Sequence, residues 1–162
     1  MPALSRAVLD TNVLVRLFIT PGGLTGRLMT ALADARFELA ISEPILSELA
    51  VTMSYPRIQR YGPFTDRDLE RIEGVLRRLA IVVPGHLTDI EIVPTDAKDN
   101  PIVACALESA ADYIVTDDKR DLLPLKVIPV SGHKPIQIVA PGAFPVSYTH
   151  LRAHETKANL VC

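Results

Sequence analysis

At 162 residues, 48% of them apolar and 22% charged, the chain is long enough to bury a core and too apolar for wholesale disorder. A formal net charge of −2 gives no sign of a broad basic surface, so any nucleic acid has to be gripped locally. Two cysteines, Cys105 and Cys162, make no disulfide framework, and no apolar run is long enough to span a bilayer.

The first residues, Met1 to Arg6, lack the apolar region of a secretory signal, so a cytoplasmic location is expected. Ala7-Val-Leu-Asp10 reads as a short buried strand ending in an acid. Asn12 is placed to cap a helix over Val13–Ile19, closed by Pro21-Gly22-Gly23. Leu24–Ala35 is a second helical stretch, with Leu24, Leu28, Ala31, Leu32 and Ala35 on one face. Phe37–Ile41 is a strand, and Ser42 caps a helix that runs to about Met53. Residues 56–63 read as an irregular loop. Thr65 and Asp68 form a capping-box pattern for a helix to Leu79, whose buried stripe is Leu69, Ile72, Leu76 and Leu79. Ile81–Val83 is a strand, Asn100–Ala110 a helix holding Cys105 as core packing, and Tyr113–Thr116 a strand ending in acids. Lys126–Val130 and Pro135–Val139 are weaker strands. Strands alternating with helices predict an α/β fold, a three-layer α/β/α sandwich on a parallel central sheet.

Four places carry potential chemistry: Asp10, Glu48, Asp99 and the pair Asp117-Asp118. Each has an ordinary reading as well. Asp99 suits a helix cap, Glu48 a solvated helix surface, and Asp117 and Asp118 a turn after a strand. Together they suggest more, because parallel sheets bind ligands beyond the carboxyl ends of their strands, where Asp10 and Asp117-Asp118 fall. Carboxylates gathered there repel one another unless a cation neutralises them, and hard oxygen ligands select Mg²⁺ or Mn²⁺. The chemistry expected of such a centre is hydrolysis of a phosphodiester, with no cysteine or histidine required.

Val8-Leu-Asp-Thr-Asn-Val-Leu14 followed by Pro21-Gly-Gly23, the run from Phe37 through Glu48, the run from Asp96 to Leu107, and Ala111 to Lys119 occur in the order of the acidic motifs of PIN domains. Over roughly residues 6–145 the sequence resembles that family, and its opening is similar to the branch that serves as toxins of bacterial toxin–antitoxin pairs. The resemblance implies a PIN-like, Rossmann-like fold and a ribonuclease that cuts RNA with Mg²⁺ or Mn²⁺. It further implies metal-binding acids at Asp10, Glu48, Asp99 and Asp118. The fourth motif reads Thr-x-Asp, which selects Asp118, although x is here Asp117. Asp96 matches an outer acid, and Thr11, Asn12 and Thr116 match positions that support the site. A cognate antitoxin is the implied partner, and a homodimer is a candidate assembly.

Three other functions compete. A haloacid-dehalogenase-type phosphatase also places aspartate after its first strand, but it needs a second aspartate where this chain has Asn12. A non-catalytic binding module would have lost its acids, whereas all four positions are acidic. A PIN nuclease of housekeeping RNA processing would share the chemistry without the toxicity. The arginines Arg57, Arg60, Arg67, Arg71, Arg77 and Arg78 alternate with acids and read as a paired, solvated face. His86 and His133 receive no role, and His150 and His154, at i, i+4 spacing, lack further ligands.

Residues 146–162 lose the apolar period. They resemble a string found at the ends of unrelated proteins, and Ser147–Leu151 corresponds to a translated transposon-end adaptor, so a domain of residues 1–145 with a non-native tail is expected. Deleting residues 147–162 should leave the thermal midpoint nearly unchanged; a large drop in melting temperature would show that the tail packs.

Overall fold

A computed structural model describes residues 3–20, 22–87 and 100–146. Among the described residues six strands form one sheet: β1 (Arg6–Leu9), β2 (Glu38–Ser42), β3 (Ala80–Val83), β4 (Tyr113–Val115), β5 (Val127–Ile128) and β6 (Ile136–Val139). The same residues hold the α-helices α1 (Thr11–Ile19), α2 (Gly23–Ala33), α3 (Glu43–Met53), α4 (Pro56–Gln59), α5 (Asp66–Leu79) and α6 (Asn100–Glu108). Among the described residues no helix is long and apolar enough to cross a membrane.

The strand order is β3-β2-β1-β4-β6-β5, parallel throughout except for β5, which runs antiparallel to β6 at the edge. The three-layer α/β/α expectation therefore holds. Central parallel strands are covered on both faces and so read as unbroken apolar runs. Ala7, Val8 and Leu9 in β1 and Leu39, Ala40 and Ile41 in β2 are accordingly buried. Order reverses at β1, because β2 and β3 extend to one side of it and β4 to the other. Such a reversal opens a crevice beyond the carboxyl ends of the two strands that flank it.

Local signals account for most helix starts. The Ser42 side chain accepts from the Ile45 N–H at 3.3 Å, and Pro44 sits in the first turn of α3. Thr65 and Asp68 form the expected capping box, and the Thr65 N–H holds the Asp68 carboxyl below the usual carboxylate range. Arg77 bridges Glu43 on α3 at 2.7 Å and Glu73 at 2.9 Å, tying α5 to α3.

Several expectations are corrected. The cap of α1 is Asp10 rather than Asn12, whose side chain stays exposed. The segment expected to be irregular contains α4, started by Pro56 at a position that needs no N–H. Leu24 and Leu79 are 40% and 36% exposed, because each lies at a helix end, past the reach of the core. Only Val127–Ile128 of the fifth run is strand, since the following Pro129 cannot donate to a ladder. Ala35 and Ala110 are not helical. Both adopt a left-handed conformation, φ 54° and 55°, and the next N–H reaches back five residues, Arg36 to Ala31 and Ala111 to Ala106. These are helix stops of the kind usually built on glycine.

Phe144 closes the core from the far end of the chain, packing edge-on against Phe37 at 5.1 Å and Tyr113 at 5.4 Å. The alanines at the left-handed stops, in contrast, cost stability because their Cβ crowds the following carbonyl. Ala35→Gly and Ala110→Gly should each raise the unfolding free energy by about 1 kcal/mol, measured by urea denaturation.

Candidate active site

Asp10 is the first residue beyond β1, at the crevice where strand order reverses, and is only 7% exposed. A buried carboxylate needs donors. Oδ1 accepts the Asn12 N–H at 2.7 Å, and Oδ2 accepts the Thr116 hydroxyl at 2.5 Å. The start of α1 adds its positive end to the same charge. β1 and β4 are in register at Leu9 and Val115, so Asp10 and Thr116 are the next residues on adjacent strands. The Asp10 N–H also continues the ladder to the Val115 carbonyl at 3.0 Å.

Thr116 is fully buried and does two things. Its oxygen donates to Asp10 and accepts the Asp118 N–H at 3.0 Å, which ties the loop after β4 to the first acid. Asp118 in turn organises that loop, its Oδ1 accepting from the N–H groups of Arg120 and Asp121 at 2.9 and 3.0 Å. Asp117 forms an ion pair with Arg16 of α1. On the facing wall Glu48, half-buried on α3, accepts the Thr11 hydroxyl at 3.1 Å.

These groups line one cleft of 690 Å³, whose walls are Asp10, Thr11, Asn12 and Glu48, the α3–α4 corner, Ile102 of α6, and residues 117–121. The structure thus brings together Asp10, Glu48, Asp117 and Asp118, with Thr11 and Asn12 in the lining and Thr116 beneath it. Asp96 and Asp99 lie outside the described residues. Sequence reasoning passed over Asp121, which lines the cleft too; its signal was the i, i+3 spacing from Asp118 that lets the earlier side chain cap the later N–H. It also misplaced Arg57. That side chain lines the cleft with Lys119 and Arg120 instead of joining the paired face of α5. Arg77 does belong to that face.

Among the described residues no three carboxylate, imidazole or thiolate groups converge as a cage for a metal ion. The lining nevertheless suits a hard divalent cation. Asp10, Glu48, Asp117, Asp118 and Asp121 offer it separate carboxylate oxygens, and Mg²⁺ keeps most of its waters while binding through one or two carboxylates and substrate phosphates. No described histidine lines the cleft. Cys105, 1% exposed, is core as expected, its thiol pushed up to about 12 by burial, with the nearby Glu108 charge adding to the shift against a hydrogen bond with Ser42. Cys105 therefore supplies no thiolate nucleophile to this site.

The PIN domain family model matches residues 6–120. An uncharacterized protein of Methanocaldococcus jannaschii is 28% identical over 121 residues, covering 75% of each chain.

Thr116→Val keeps the side-chain shape but removes the donor to Asp10 and the acceptor for Asp118. Stability should fall by about 1.5–3 kcal/mol in chemical denaturation, and Thr116→Ser, which keeps the hydroxyl, should lose markedly less.

Proposed function

Because the chain belongs to the PIN domain family, whose members are generally metal-dependent nucleases, we propose that it is an Mg²⁺- or Mn²⁺-dependent endoribonuclease acting as the toxin of a toxin–antitoxin pair. The observation that carries the nuclease reading is the buried Asp10 carboxylate, held through both oxygens at the strand-order reversal, with Glu48 and Asp118 lining the same cleft. In this reading Asp10, Glu48 and Asp118 hold the cation together with Asp99. When bound, the cation supplies charge neutralisation for the phosphodiester and acidifies water for in-line hydrolysis.

The chain's own groups set the conditions for that chemistry. Asn12 N–H and the Thr116 hydroxyl fix the direction of the Asp10 carboxylate. Thr11 does the same for Glu48 across the cleft. Arg16 neutralises Asp117, which leaves Asp118 as the better match to the fourth acid and Asp117 as a supporting group. Lys119 and Arg120 give phosphates a local cationic contact despite the chain's negative balance.

The toxin assignment rests on the similarity of the opening residues to the toxin branch. Induced expression in a bacterial host should arrest growth for wild type and not for Asp10→Asn. Harmless expression of an active enzyme would favour housekeeping RNA processing.

Asp10→Asn should lower cleavage of single-stranded RNA by orders of magnitude while circular dichroism stays native. Asp118→Asn should act similarly, and Asp117→Asn should do less. Products should carry 5′-phosphate and 3′-hydroxyl ends, and Ca²⁺ should not support comparable turnover. Cleavage that persists in EDTA, or in Asp10→Asn, would overturn the mechanism.

A further inference from the structure

The corner between α3 and α4 presents an aromatic ring and a cation to the cleft. Tyr55 is 44% exposed, yet its backbone is held: its N–H donates to the Thr52 carbonyl at 3.1 Å, and its carbonyl accepts from Ile58 and Gln59 at 2.9 and 3.0 Å. The Gln59 side chain donates to the Met53 carbonyl at 2.9 Å and the Phe64 carbonyl at 3.3 Å, which closes the corner onto its flanks. The Arg57 guanidinium lies over the Tyr55 ring, 5.8 Å from its centroid. Both residues line the cleft that holds Asp10 and Glu48.

We propose that Tyr55 and Arg57 form a positioning site for one unpaired nucleotide beside the scissile phosphate, the base stacking on the tyrosine ring and the neighbouring phosphate meeting the guanidinium. This rests on the ribonuclease reading and adds the residues that would hold the single strand. A ring carried on a hydrogen-bonded corner loses little freedom when a base stacks on it, and every base offers a π-face, so the contact tolerates sequence. Bases within a duplex have both faces covered by their neighbours and cannot use it. Charge favours a nucleic acid over a protein here. Arg57, Lys119 and Arg120 take part in no ion pair among the described residues, and they stand on a chain whose net charge is negative.

The test is fluorescence anisotropy in Ca²⁺ with a labelled, unstructured RNA dodecamer, free or annealed to its complement, beside cleavage assays of the same proteins in Mg²⁺. Tyr55→Leu keeps apolar bulk without a ring and should weaken single-strand binding about tenfold, whereas Tyr55→Phe should bind within about twofold of wild type. Arg57→Ala should reduce the slope of log affinity against log salt by about 0.7. Tyr61→Leu, a change at a ring 67% exposed and outside the cleft, should change neither. An abasic residue walked along the dodecamer should find one position at which wild type loses affinity and Tyr55→Leu does not. Binding and cleavage by wild type with affinity unaltered in Tyr55→Leu would overturn the stacking site, leave the nuclease reading intact and assign the ring to a protein partner. Failure of wild type either to bind or to cut RNA would instead remove the nuclease reading, and this site with it.

Discussion

A carboxylate almost shut off from water has to be compensated by its surroundings, and Asp10 is that group in this fold. Its charge is met by one backbone N–H from its own helix start and by one hydroxyl from the neighbouring strand. Both donors depend on β1 and β4 lying side by side in one register, with Leu9 against Val115. A slip of one residue would turn the Thr116 side chain to the opposite face of the sheet and leave a buried charge short of a partner, a large penalty for a domain of this size. The apolar strands supply the burial, and the polar ends of the same strands relieve it.

Three more acids of the cleft are managed separately, which explains how they can share it with Asp10. Glu48 has the Thr11 hydroxyl, Asp117 has Arg16, and Asp118 has the N–H groups of its own turn. Each partner comes from an element that the central strands already position: α1 follows β1, α3 follows β2, and the loop follows β4. The carboxylates are thus each oriented by a neighbour, while the space between them stays open. The cation site proposed above would suit this arrangement, since such an ion is oriented by few protein oxygens and by its substrate.

The rim is built by different means. Pro56 starts a helix of four residues immediately after α3, and that abrupt restart turns Tyr55 and Arg57 toward the acids instead of letting the chain run on along the surface. Polar contacts from one glutamine secure the turn. The corner illustrates how a segment without a long period can still be well defined, because backbone hydrogen bonds over three or four residues suffice to hold it.

What the sequence by itself determined were the features that depend on neighbours along the chain. Unbroken apolar runs announced the strands, Ser42 and the Thr65–Asp68 pair announced helix starts, and the apolar surroundings of Cys105 announced its burial. Asp10, Glu48, Asp117 and Asp118, which one cleft brings together, stood out for the same reason, each belonging to a short motif. Tertiary structure alone decided the rest. Asp10 and Asn12 are both good caps two residues apart, and the sheet register selected Asp10 by placing it beside Thr116. Arg57 is one arginine among several in sequence and becomes a cleft residue only because α4 turns it there. Leu24 and Leu79 match their helical stripes and are exposed because the core ends before they do. Periodicity and capping act over three to five residues, whereas the bond that orients the central acid spans 106, a separation across which only the pairing of strands carries information.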